Sequence, residues 1–199
     1  MLLREVTFTV DLGENGYLIG FDDDYDIPRQ MPFGWRCGPA TEYLAVVLPT
    51  TDTGPLQMTV QVHDAPPGPE TGDGWETAEE MSLPAEAPTL CLATIGQGDF
   101  WDAWPEDEPP LEMPPPADGG DWVRMRLYCH ADDPTPGIGD HGERHLIQLW
   151  HAPVTDPVHP PLSDADRQAR AQYAADMATP VDDYTTEYPN HYSDEGLDT

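Results

Sequence analysis

Between residue 1 and residue 160 the chain contains no helix-length periodic segment; its apolar residues alternate with polar ones instead. A period of two sends successive side chains to opposite faces of a strand, so such a pattern buries one face and wets the other. Val6, Phe8 and Val10 alternate with Glu5, Thr7 and Thr9, and Met58, Val60 and Val62 alternate with Gln57, Thr59 and Gln61. In "DWVRMRLYCHA" Val123, Met125, Leu127 and Cys129 face one way, while Arg124, Arg126, Tyr128 and His130 face the other. "EYLAVVLP" is more continuously apolar and suits a central strand ended by Pro49, and "TLCLATI" and "RHLIQLWHAP" add two more strands. Shorter candidates lie at residues 17 to 21 and 75 to 83.

About six to eight short strands, punctuated by Gly and Pro and without intervening helices, predict an all-β fold, specifically an antiparallel β-sandwich over residues 1–155. The stretch from 98 to 121 holds six prolines between Pro105 and Pro116 and reads as irregular. After Pro161 the pattern changes. Ser163 as N-cap, Asp164 and Asp166 in the first turn, alanine-rich filling and Pro180 beyond predict one C-terminal helix of about 14 residues, within a linker-and-helix segment 156–178. Residues 179–199 are acidic and lack any core-forming run, which predicts a flexible tail.

Charge narrows the function further. The chain carries 38 acidic residues against 8 cations, all arginine, for a net charge of -30. Residues 1–154 hold 28 acids and 6 arginines, so the folded body itself is acidic. Such a surface repels phosphates and anionic lipid over roughly a Debye length, about 8–10 Å, and attracts cations and basic proteins. Direct nucleic-acid or membrane binding is therefore not expected. By area scaling a globule of this mass exposes about 300 Å² per net charge, against about 100 Å² per phosphate on a duplex, so imitation of DNA would require the acids to gather on one face. A lysine-free acidic surface also serves solubility alone. Three cysteines without a CxxC spacing, and an N-terminus interrupted by Arg4 and Glu5, fit a reduced, cytoplasmic, soluble protein.

Motifs with their own chemistry are scarce. In "FDDDYD" Asp22, Asp24 and Asp26 have the alternate spacing that opens a calcium loop, but Ile27 and Phe33 stand where the loop needs Gly and Glu. His141 and His145 of "HGERH" would sit roughly 13 Å apart on a strand of about 3.3 Å per residue, too far to share zinc. Strand alternation likewise separates Cys129 from His130. With 38 acids, a close carboxylate pair carries no information, and no GxSxG, HExxH, GxGxxG or P-loop occurs. No catalytic residue, metal ligand or cofactor is assigned.

Two stretches resemble interaction surfaces. One is the Asp-rich run Asp22, Asp23, Asp24 and Asp26. The other is "FWDAWPEDE", which sets Trp101 and Trp104 beside Glu106, Asp107 and Glu108, aromatic anchors ringed by acids that suit a basic partner. Those rings could equally cover one end of the core. In the tail, Tyr184, Tyr188 and Tyr192 recur every four residues, a stripe only if helical, and Pro189 argues against a helix.

The segments "LREVTFTVDL", "QMTVQVHDAPP", "DWVRMRLYCHA" and "HLIQLWHAP" resemble a group of acidic β proteins of actinobacteria, and the layout of residues 3–155 is similar to the competence protein J family of nuclease inhibitors. The resemblance rests on strand patterns and transfers no functional residues. It implies a non-enzymatic acidic protein that engages a basic partner, as an immunity or inhibitor protein of a nuclease or DNA-binding protein. The alternative is a metal-dependent enzyme or ligand-binding sandwich that uses the Asp-rich loop.

Overall fold

The computed structural model describes residues 1–14, 16–23, 25, 34–72, 74–76, 78–96, 99–116 and 120–178. Eleven strands and one helix occur among them: β1 (Leu2–Leu12), β2 (Tyr17–Gly20), β3 (Cys37–Pro39), β4 (Leu44–Val47), β5 (Thr51–His63), β6 (Glu79–Pro84), β7 (Cys91–Gly96), β8 (Asp99–Asp102), β9 (Trp122–His130), β10 (Gly137–Ile138), β11 (Arg144–His151) and α1 (Asp164–Ala178). One sheet runs β1-β5-β11-β9-β6 with β10 attached to β5, and the other runs β3-β4-β2-β7-β8.

Side chains of both sheets meet in one buried cluster. Val6, Val60, Leu127 and Ile147 come from the first sheet, and Tyr17, Ile19, Val47 and Leu92 from the second. Val6, Val60 and Leu127 are apolar members of the period-two pattern, so alternation selects the buried face of β1, β5 and β9, whereas β2 and β4 are buried throughout. Val123, Met125, Leu127 and Cys129 all join this cluster, as their spacing predicts.

The first sheet is mixed, not antiparallel throughout, which corrects one part of the expected fold. After β9 the chain returns into the slot between β9 and β5. β11 therefore pairs antiparallel with β9 (Ile147↔Leu127) and parallel with β5 (Ile147↔Val60). β10 also runs parallel to β5. A further difference concerns residues 98–121, which contain β8. Its Phe100 and Trp101 pair with Ile95 and Thr94 of β7 before the prolines begin.

The outer face of the first sheet is covered as well. Tyr128 Oη accepts the Glu70 N–H at 2.9 Å, Arg126 donates to the Pro67 carbonyl at 3.0 Å, and Arg124 donates to the carbonyls of Thr155 and Asp156 at 3.2 Å. Two loops thus bury Arg124 and Tyr128. α1 begins as expected: Ser163 Oγ accepts the Asp166 N–H at 3.1 Å, and Asp164 and Asp166 sit in the positive first turn. No described helix is long and apolar enough to cross a membrane.

Candidate functional site

Asp102 from the second acidic stretch lies at the same end of the five-stranded sheet as Asp22 and Asp23 from the first. Asp22 and Asp23 follow the end of β2, Glu42 lies in the turn before β4, Glu86 follows β6, and Asp102 ends the edge strand β8. Because β2, β4 and β7 are neighbours, these separate segments deliver their carboxylates to the same end of the sheet. The field they create is visible on three neighbours. Burial and then the charges of Asp23, Asp102 and Asp22 push the Cys91 thiol up. Burial, Cys91 and then Asp102 and Asp23 raise the Tyr25 phenol, and Glu42, Glu86 and Asp22 raise half-buried Tyr43. Tyr25 in turn packs on Phe100 of β8, with ring centroids 5.9 Å apart.

The two tryptophans divide their roles. Trp101 on β8 is 47% exposed. Its indole lies against the backbone of Gly96, where a Cβ would overlap the ring. Trp104 instead packs edge-on to Phe8 of β1 at 5.3 Å and donates its ring N–H to the Pro109 carbonyl at 3.2 Å. It therefore covers the core margin, while Trp101 remains at the surface. Glu108 lies 3.8 Å from Arg4, whose guanidinium also holds the carbonyls of Pro109 and Pro110 at 2.7 Å. Glu106 and Asp107 are exposed on the same turn. Asp24 and Asp26 lie outside the described residues, as do the tail tyrosines.

Each of the seven described arginines is engaged away from this acidic end. Arg4 binds the proline carbonyls, Arg36 pairs with Glu76, and Arg124 and Arg126 share Glu80. Arg144 lies over Trp75, Arg167 pairs with Asp164, and Arg170 lies over Trp35.

Two polar clusters within the body were not assigned from the sequence. In the first, His145 of β11 bridges Glu143 and Tyr17. The Glu143 carboxylate can only accept, so the His145 Nε2–H donates to it at 3.0 Å, and Tyr17 Oη lies 2.9 Å from Nδ1. Glu143 also accepts the N–H groups of Thr50 at 2.8 Å and Thr51 at 2.7 Å. Burial would raise this carboxyl, but the hydrogen bond and charge of His145 and the two backbone donors outweigh it and hold the group at about 2. Burial, followed by Cys129, Cys37 and Glu143, pushes the Tyr17 phenol far up. In the second cluster Cys37, Glu79 and His159 converge at the opposite edge of the five-stranded sheet, formed by β3. His145 thus joins Glu143 and Tyr17, whereas His141 sits in the loop before β11.

No family model matches the chain, and no curated protein sequence does. Two solved structures are similar to it. One is ComJ of Bacillus subtilis, described as an inhibitor of the DNA-degrading activity of NucA. It is 8% identical with a TM-score of 0.48, covering 76% of this chain and 99% of that one. The other is described as crocagin biosynthetic gene J; it is 16% identical with a TM-score of 0.41, covering 74% of this chain and 98% of that one. Both likenesses are weak and concern the course of the chain.

Proposed function

We propose that this protein is a non-enzymatic β-sandwich that binds a basic protein partner through the acidic end beside β8. The observation that carries this reading is the convergence of Asp22, Asp23, Glu42, Glu86 and Asp102 from separate segments, next to an exposed aromatic on an edge strand. Like charges gathered at one end cost stability, and a partner of opposite sign relieves that cost on binding. Trp101 supplies the apolar contact, and the carboxylates steer the encounter. Glu106 and Asp107, exposed on the turn after β8, add negative charge to the same surface stretch as Trp101.

Proteins that hold nucleic acid carry basic surfaces built for phosphate. A nuclease or DNA-binding protein is therefore the partner class, and occupying its phosphate-binding face makes this chain an inhibitor or immunity protein. The test compares the native chain with Asp22→Asn/Asp23→Asn/Asp102→Asn as baits in a lysate of the source cells. The expected result is a defined basic nucleic-acid-handling protein that the native bait retains, that the triple variant loses, and that salt releases. Equal recovery by both baits, or recovery of no basic protein by either, overturns the reading.

A further inference from the structure

The cluster at the β3 edge has the composition and the constraint of a metal site. Cys37 opens β3, Glu79 opens β6, and His159 lies in the segment leading to α1. One ligand atom from each residue lies within 4.8 Å of the other two. Cys37 is fully buried, Glu79 is 3% exposed and His159 is 12% exposed.

The donors are fixed by their surroundings. Glu79 Oε1 accepts the Arg36 N–H at 2.7 Å, and Oε2 accepts both the Cys37 N–H at 3.0 Å and the His159 Nδ1–H at 2.9 Å. The imidazole stacks on Trp35, with centroids 3.9 Å apart and planes 5° from parallel. Trp35 is held in turn by its ring N–H on the Pro160 carbonyl at 3.1 Å and by Arg170 over the indole at 4.0 Å. Such outer contacts are what orient the ligands of a metal.

Charge points the same way. Glu79 is a buried carboxylate that faces the His159 ring at 2.9 Å. Burying a carboxylate without full compensation is costly. Cys37 Sγ and a His159 ring nitrogen both lie within 4.8 Å of the same carboxylate.

We propose that Cys37, Glu79 and His159 form a three-ligand site for a zinc-class divalent cation. On binding, Cys37 loses its proton to solvent, the imidazole proton moves from Nδ1 to Nε2, and the ion is held by Sγ, Nδ1 and a Glu79 oxygen. One proton is released per ion, and thiolate plus carboxylate neutralise the double charge. A sulfur and an imidazole donor select zinc-class ions over Ca²⁺ and Mg²⁺. Glu79 also lines an open cavity of about 530 Å³, together with Trp35, Arg36, Glu76 and Pro160. That cavity gives the ion a way in and leaves room for a water as fourth ligand.

Titration of the reduced full chain with Co²⁺ alone tests this, because a thiolate–cobalt charge-transfer band reports sulfur ligation and is blind to the acidic surface. One equivalent should produce that band with the visible spectrum of tetrahedral cobalt, and Zn²⁺ should abolish both. Cys91→Ser should retain the band and Cys37→Ser should lose it. His159→Ala, at the rim of the cluster, should keep the native circular dichroism yet weaken Co²⁺ binding by at least about 100-fold, the upper end of the loss from an outer-shell partner. Absence of a sulfur band in the native chain overturns the proposal, as does a band of equal strength in Cys37→Ser or unweakened binding in a folded His159→Ala.

Discussion

Glu143 is the residue on which the buried polar network turns. Its two oxygens satisfy the N–H groups of Thr50 and Thr51 and the ring of His145, so removing it strands three donors at once. A buried donor left unsatisfied costs about 1–3 kcal/mol. Glu143→Ala should therefore lower the urea-unfolding free energy by at least about 3 kcal/mol, whereas Tyr17→Phe, which strips only the Nδ1 partner, should cost about 1–2 kcal/mol. The same carboxyl sets an acid limit. Its folded value of about 2 lies below its ordinary 4.5, so its contribution is complete above about 4.5 and disappears as pH falls to about 2. The shift corresponds to about 3 kcal/mol. Denaturant titrations across that interval should follow this slope in the native chain and follow it less steeply in Glu143→Gln. The pair was open to reading in "HGERH", since Glu143 and His145 share a face at a spacing of two. The third member, Tyr17, lies 128 residues from His145 in sequence, beyond any local signal.

At the level of elements, strand positions and faces were legible because burial follows a period of two. Neighbours and directions were not. The same alternation in β5 and β11 is satisfied whichever way the two strands run, so nothing local announces their parallel pairing. β2 illustrates a constraint that pairing imposes afterwards. It lies between β4 and β7, and at Gly20 a Cβ would run into the Tyr43 carbonyl and the backbone of Leu44. Overpacking of this kind costs about 1–3 kcal/mol. Gly20→Ala should fall at the upper end of that range in chemical denaturation, while an alanine at exposed Gly68, where nothing lies close, should be neutral. β8 was hidden for a different reason: four strand residues precede a proline-rich run whose composition dominates the window. The Cys37, Glu79 and His159 cluster draws on β3, β6 and a loop residue 80 positions after Glu79, so no spacing could have marked it.

For the whole molecule, a net charge of -30 is the defining quantity. Self-repulsion of that size weakens the compact state and is screened by salt. The melting temperature should rise between low and physiological ionic strength, and Asp22→Asn/Asp23→Asn/Asp102→Asn should melt higher than the native chain at low salt. The total was plain from composition; the gathering of five carboxylates at one end depends on which turns the sheet brings together. That gathering is where the proposed function can be measured most directly, through the association rate of the captured basic partner with native and triple-variant protein across ionic strength. Steering by the acidic end predicts a native rate that falls steeply with salt, on the order of tenfold or more, and a variant rate that is slower and flatter. Rates that coincide for the two proteins, or that ignore salt, would contradict it.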